Sequence, residues 1–237
     1  MFQKNRILLS LCMLLLLAGA IPFAVSVFEK NSKLRVAVID GASSNNFSFY
    51  IRKTSYEKGN EQAAVHSNII WSVLSNNIDT SKIDFFEYSV IGTDGQIDIT
   101  TFTKALKQAE KDNIDIINFS GGFYLEDEQA KEQIQILLRK GVIIVAAGGN
   151  NYQGIADFPA RIPGVISVGS KKGSNISSFS AIDKIDIFEN GEEILYNNKK
   201  YSGTSFATPK VTNQILKMYF QTKNLKKIKN SILKKGN

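Results

Sequence analysis

The sequence predicts an α/β fold with a mostly parallel central sheet and helices on both faces. Two observations carry this. Past residue 30, short apolar runs alternate with amphipathic stretches across short connections, the pattern of right-handed βαβ units. Runs such as residues 142–147 are also apolar at every position, as expected of a strand buried on both sides.

The elements follow in order. Residues 34–39 read as a buried strand. In residues 63–74 the apolar clusters recur at roughly helical spacing. Residues 83–91, rich in aromatic and β-branched side chains, read as the next strand. Phe102, Ala105, Leu106 and Ala109 mark a helix, with Thr100 or Thr101 expected as its cap. Residues 114–119 follow as a strand. Ala130, Ile134, Leu137 and Leu138 mark a helix stopped by Gly141. Residues 142–147 and 165–168 are further strands. A last clear helix follows Gly203 and runs to about Phe220.

The ends of the chain differ from its middle. Lys4 and Arg6 precede an uncharged run from Ile7 to Phe28. Residues 1–28 therefore read either as a signal peptide, with Ala18-Gly19-Ala20 as the cleavage site, or as an uncleaved membrane anchor. Both put the rest of the chain outside the cytoplasm, anchored or secreted. Cys12, the only cysteine, lies in this segment, so the exported part has no disulfide. Residues 29–222 form the expected folded domain, and 223–237 a lysine-rich tail or terminal helix. The net charge of +7 is concentrated near the C-terminus, where residues 217–237 hold seven lysines and no acid. Leu225, Ile228 and Ile232 fall there at helical spacing. Such a segment is either a docked helix with a solvated lysine face or a contact for an anionic surface. Nothing suggests base-specific reading of nucleic acid.

Four residues stand out chemically. Asp40 ends the first strand, where α/β proteins place their ligands; strand-end acids also cap helices, bind metals or face water. His66 is the only histidine, so a zinc site needing two histidines is excluded and any histidine base must be this one. Ser205 lies in Gly203-Thr204-Ser205-Phe206-Ala207-Thr208-Pro209. A tight turn there would set the serine at a helix N-terminus, where N–H groups and the helix dipole favour negative charge. An ordinary capped helix has the same composition. Pro209 is expected within the first helical turn. Asn150, in Ala146-Ala147-Gly148-Gly149-Asn150-Asn151, follows a buried strand and could donate to an oxyanion or simply serve a turn.

Taken together, these pieces resemble the subtilisin-like serine peptidases, or subtilases. The order Asp40, His66, Ser205 is that of subtilisin. The 203–209 stretch is similar to the family's nucleophile motif, Gly-Thr-Ser-x-Ala-x-Pro. Val36-Ala37-Val38-Ile39-Asp40 resembles the aspartate strand, and Val145-Ala146-Ala147-Gly148-Gly149-Asn150 the oxyanion asparagine motif. Asp115-Ile116-Ile117-Asn118-Phe119-Ser120-Gly121-Gly122 resembles the substrate-pairing strand. Phe158-Pro159-Ala160, Val165-Ile166-Ser167-Val168-Gly169 and Ser177-Ser178-Phe179-Ser180 also match. The likeness covers roughly residues 34–220.

The resemblance implies a subtilisin-like three-layer fold and acyl transfer on a peptide or protein substrate. In that scheme His66 takes the proton of Ser205, and Asp40 orients the imidazole. Asn150 and the Ser205 N–H hold the oxyanion. Ser120, Gly121 and Gly122 pair with the substrate backbone as an added strand. No metal or other cofactor is expected. Three departures are visible. Ser67 and Asn68 follow His66 where the family usually has Gly-Thr. The residues between Phe28 and Leu34 leave no room for a family-type folding propeptide. No calcium loop is evident between His66 and Ile114, and calcium is not carried over. A scaffold that binds extended peptides with little or no cleavage is the competing expectation.

Overall fold

The computed structural model describes residues 33–233. The leader expected over residues 1–28 and Cys12 lie outside the described residues. Among the described residues, no helix is long and apolar enough to cross a membrane.

The compact unit that begins at Leu34 is built on one large sheet. Its strands are β1 (Leu34–Asp40), β2 (Ile51–Ser55), β3 (Ile83–Ser89), β4 (Ile116–Phe119), β5 (Ile143–Ala147), β6 (Ile166–Lys172), β7 (Asn175–Ile176) and β8 (Ile187–Asn190). They run in the order β2-β3-β1-β4-β5-β6-β7, with β8 also beside β6. Every pairing is parallel except that of β7 with β6. A separate small ribbon pairs β9 (Ile194–Tyr196) with β10 (Lys199–Tyr201). The helices are α1 (Glu61–Leu74), α2 (Ile99–Lys111), α3 (Glu128–Arg139), α4 (Thr204–Thr222) and α5 (Leu225–Leu233).

Strand alternation builds two cores. On one face Ala37, Ile39, Ile117, Phe119, Ile144 and Ala146 pack against Phe102, Leu106, Ile134 and Leu137 of α2 and α3. On the other, Val36, Val38, Ile116, Ile143 and Val145 meet Ile70, Trp71, Val211, Ile215 and Leu216 of α1 and α4. This is the expected three-layer arrangement. The helix boundaries hold one correction. Asp98, not Thr100 or Thr101, caps α2, its carboxylate accepting from the Thr101 N–H at 3.0 Å. An Asp at the cap position also favours the positive end of the helix dipole.

The lysine-rich C-terminus is partly docked. Helix α5 buries Ile228 and Ile232 in the second core, while Lys226 and Lys227 remain exposed. This is the geometry of a docked amphipathic helix with a solvated basic face.

Candidate active site

The site forms at the C-terminal edge of the sheet, from the ends of β1, β4 and β5 and the starts of α1 and α4. Asp40 closes β1 and is almost fully buried. Its Oδ1 accepts from its neighbour's backbone, Gly41 N–H, at 2.8 Å and lies 2.8 Å from His66 Nδ1. Gly41 makes that approach possible: a Cβ there would stand 2.5 Å from the carbonyl oxygen of Ala63 in α1. Only a residue without a side chain lets α1 come so close to the strand end.

His66 projects from the second turn of α1, with its side chain 25% exposed. Burial lowers its basicity, but the negative charge of Asp40 and their hydrogen bond outweigh that and hold its pKa above the ordinary histidine value. The ring rests against Phe206, centroid to centroid 5.2 Å, beside the serine at 205.

Ser67 and Asn68, the two residues that depart from the family pattern, have different effects. Asn68 is buried, and its side chain ties down the loop after Asp40. Its Oδ1 accepts from the N–H groups of Ser44 and Asn45 at 3.0 and 3.1 Å, and its Nδ2 donates to Ser44 Oγ at 3.0 Å. Ser67 is fully buried and its Oγ has no hydrogen-bond partner. So Asn68 clamps the strand and helix that carry Asp40 and His66, while Ser67 brings only a desolvated hydroxyl.

Ser205 is the second residue of α4. The helix is capped by Gly203 without a side-chain hydrogen bond, so the ordinary Ser/Thr cap is not what the motif builds here. Pro209 is the sixth helical residue and lies in the second turn rather than the first. It has no N–H, so the carbonyl of Ser205 loses its usual helical donor. The hydroxyl of Ser205 donates to the carbonyl of Ser120 at 2.8 Å. No hydrogen bond joins it to His66 in this structure.

Asn150 stands opposite at the end of β5. Its Oδ1 accepts from the N–H and hydroxyl of Thr204 at 3.0 and 3.1 Å. The Thr204 hydroxyl in turn accepts from the Gly149 N–H at 3.2 Å. With the amide oxygen engaged twice, the amide NH₂ is left facing the helix start, where a Cβ on Gly203 would lie 3.4 Å from Nδ2. Ser120, Gly121 and Gly122 continue past the last paired residue of β4. All of the residues singled out from the sequence thus gather at one sheet edge.

Sequence reasoning missed the parts played by Gly41, Asn68 and Thr204. Thr204 was visible inside the nucleophile motif, and Asn68 only as a departure; neither position announces which side chain it orients. Among the described residues no group of three or more His, Cys, Asp or Glu is placed to hold a metal ion.

This geometry and fold define a subtilisin-like peptidase class, and comparison with known proteins agrees. The profile of the Subtilase family matches residues 80–228, and the chain belongs to that family. The matched span includes Asn150 and Ser205 and begins after Asp40 and His66. Alkaline elastase YaB from Bacillus sp. (strain YaB) is 27% identical over 209 residues, 80% of this chain and 55% of that protein. Subtilisin BL from Lederbergia lenta is 27% identical over 199 residues, 76% of this chain and 74% of the relative. The chain therefore spans about half the length of the first of these relatives and three quarters of the second. Among solved structures, the prenylagaramide maturation protease PagA superposes with a TM-score of 0.70 at 24% identity, over 84% of this chain and 82% of that one. A cold adapted subtilisin-like serine proteinase superposes at 0.68 with 20% identity, over 86% and 82%. Both show the same fold.

Proposed function

We propose that this chain is an exported serine endopeptidase that cleaves peptide bonds through Asp40, His66 and Ser205. The observation that carries the reading is the pairing of the only histidine with a buried strand-end aspartate at 2.8 Å, its ring packed on the residue that follows Ser205. Asp40 holds the Nδ1–H tautomer and steadies the imidazolium that forms when Nε2 takes the serine proton. Asn150 and the Ser205 N–H stabilise the tetrahedral oxyanion.

The hydroxyl rests on the Ser120 carbonyl, an acceptor that an extended substrate strand would use along Ser120, Gly121 and Gly122. Arrival of that strand takes over the carbonyl. A change of the Ser205 χ1 rotamer then turns the hydroxyl toward His66, a move between ordinary staggered wells. Tightening of catalytic hydrogen bonds on substrate binding is common in such sites.

The reading includes limited processing of an exported peptide or protein rather than bulk digestion. Two of the solved fold neighbours are described as maturation proteases, for prenylagaramide and for patellamide, which is activity of this limited kind. The N-terminal run would keep the enzyme at the membrane or route it outward.

The test is labelling of the purified chain with a fluorophosphonate. The wild type should be labelled, and Ser205→Ala should lose all labelling while keeping its circular dichroism spectrum. A folded wild type that takes no label would instead favour a peptide-binding scaffold.

A further inference from the structure

The sheet edge opposite the active site has a chemistry of its own. Helix α4 starts at that site and runs back along the sheet, so its last turn reaches the edge where the strands begin. Lys82, directly before β3, holds its Nζ 6.0 Å from the centre of the Phe220 ring. Asp115, directly before β4, accepts from the Arg35 N–H near the start of β1 at 2.8 Å. Burial, and then the nearby charge of that same Asp115, raise the pKa of the Tyr219 hydroxyl. The turn after α4 stays at this edge. Asn224 accepts from the Lys227 N–H through Oδ1 at 2.9 Å and from the Ile228 N–H through its carbonyl at 3.1 Å, which starts α5. Lys229 of α5 reaches the loop before β6, where a Cβ on Gly164 would lie 3.9 Å from its Nζ.

This edge is basic and its cations are unbalanced. Lys217, Lys223, Lys226 and Lys227 are exposed, and among the described residues no carboxylate pairs with any of them. The acids nearby are engaged elsewhere: Asp79 on Lys82 at 2.8 Å, Asp112 on the Tyr88 hydroxyl at 2.8 Å, and Asp115 on Arg35. Cations gathered without acids repel one another, and an anionic surface relieves that repulsion.

Two features say which anionic surface. Tyr219 and Phe220 are partly exposed among these lysines, with Lys223 Nζ 4.9 and 5.1 Å from their ring centres. Rings interleaved with lysines suit a membrane interface, where the rings sit at headgroup depth and the ammonium groups reach the phosphates. The chain also enters the domain at this edge, through Leu34, with only residues 29–33 between it and the uncharged run of 7–28. Read as an anchor, that run brings this edge to the bilayer rather than the edge that carries Ser205.

We propose that the edge opposite the active site is a membrane-facing surface, on which Lys217, Lys223, Lys226 and Lys227 meet the headgroups of an anionic bilayer. Ser205 opens α4 and Lys223 follows its last residue, so the nucleophile stands about 27 Å along the helix axis from the lysines and faces away from the lipid. This goes beyond the peptidase reading and does not depend on it.

The experiment is lysine footprinting of the full chain, by brief acetylation and mass spectrometry. It is run on vesicles of phosphatidylcholine alone and of phosphatidylcholine mixed equally with phosphatidylglycerol. Both accept an apolar segment alike, so the difference isolates the charged surface. The four lysines should be acetylated about 3–10-fold more slowly on the anionic vesicles, and about 0.5 M salt should remove that protection by screening. Lys58 and Lys199, exposed near the active-site edge, should react at the same rate on both. Lys226→Glu combined with Lys227→Glu should restore fast acetylation of Lys217 and Lys223, with circular dichroism and fluorophosphonate labelling as in the wild type. Equal acetylation of the four lysines on the two vesicles overturns the proposal. So does protection that survives the double charge reversal, or that falls equally on Lys58 and Lys199. Protection by dissolved heparin but not by anionic vesicles would assign the surface to a soluble polyanion and overturn it too. None of these readouts involves cleavage, so each failure leaves the peptidase reading standing.

Discussion

In the proposed mechanism His66 ties stability and activity to the same proton, with opposite signs. Its folded-state pKa is raised by Asp40 above the ordinary value of ~6.5. The charged pair therefore contributes its stability in full below about pH 6.5 and loses it as pH rises through the raised folded-state value. The base works neutral, so kcat/KM should climb across that same interval along a single ionisation, with its midpoint above ~6.5. Asp40→Asn should move the midpoint down, because the charge that raises it is gone. A kcat/KM profile flat from mildly acidic to alkaline pH would contradict a histidine base. Asn150 is tested separately. Asn150→Ala should lower kcat by about 10²–10³ with little change in KM, the cost of losing one oxyanion donor as known from a subtilisin, a member of this same family. An unchanged kcat would remove Asn150 from the mechanism.

The elements that matter most for function are α1 and the loop it clamps. Asn68 reaches from α1 to Ser44 and Asn45 through three hydrogen bonds, each worth roughly 1 kcal/mol net. Asn68→Ala should cost about 2–3 kcal/mol in urea unfolding and lower kcat as well, because Asp40 and His66 ride on the two pieces it joins. The adjacent position should respond in the opposite direction. Ser67→Ala removes a buried hydroxyl without a partner, so stability should hold or rise by up to about 1 kcal/mol. If both variants lose stability equally, the distinction between clamp and unpaired hydroxyl is wrong. Elements of this kind were unevenly legible in the sequence. The strands β1, β3, β4, β5 and the helices α1 to α4 follow from periodicity because each buries a continuous apolar set. The strands β2, β8, β9 and β10 escaped it. They are short, with exposed or half-exposed residues at most positions, so neither alternation nor an apolar run marks them.

At the scale of the whole molecule, the C-terminal helix is a structural part of the domain. Ile228 is 1% exposed in the core shared by α1 and α4. Ile228→Ala should cost about 2–4 kcal/mol in unfolding free energy, while Lys226→Glu and Lys227→Glu should stay within about 0.5 kcal/mol. Equal effects from the isoleucine and the lysines would mean that α5 is not docked in solution.

The sequence by itself determined which groups are the candidates to carry the chemistry. A lone histidine leaves no choice of base, and the Gly-Thr-Ser motif, the strand-end aspartate and the strand-end asparagine each reflect a local backbone demand that only a few residue types meet. Only the tertiary structure decided which atoms meet: Ser205 on the carbonyl of Ser120, the Asn150 amide turned by Thr204, and Asn68 as a clamp. Ser205 and Ser120 are 85 positions apart in the chain, and Thr204 and Asn150 are 54 apart. Contacts at such separations arise from how strands order themselves in a sheet and how helices pack across it. Local periodicity records the faces that pack, and carries no term for the distance between two side chains that packing brings together.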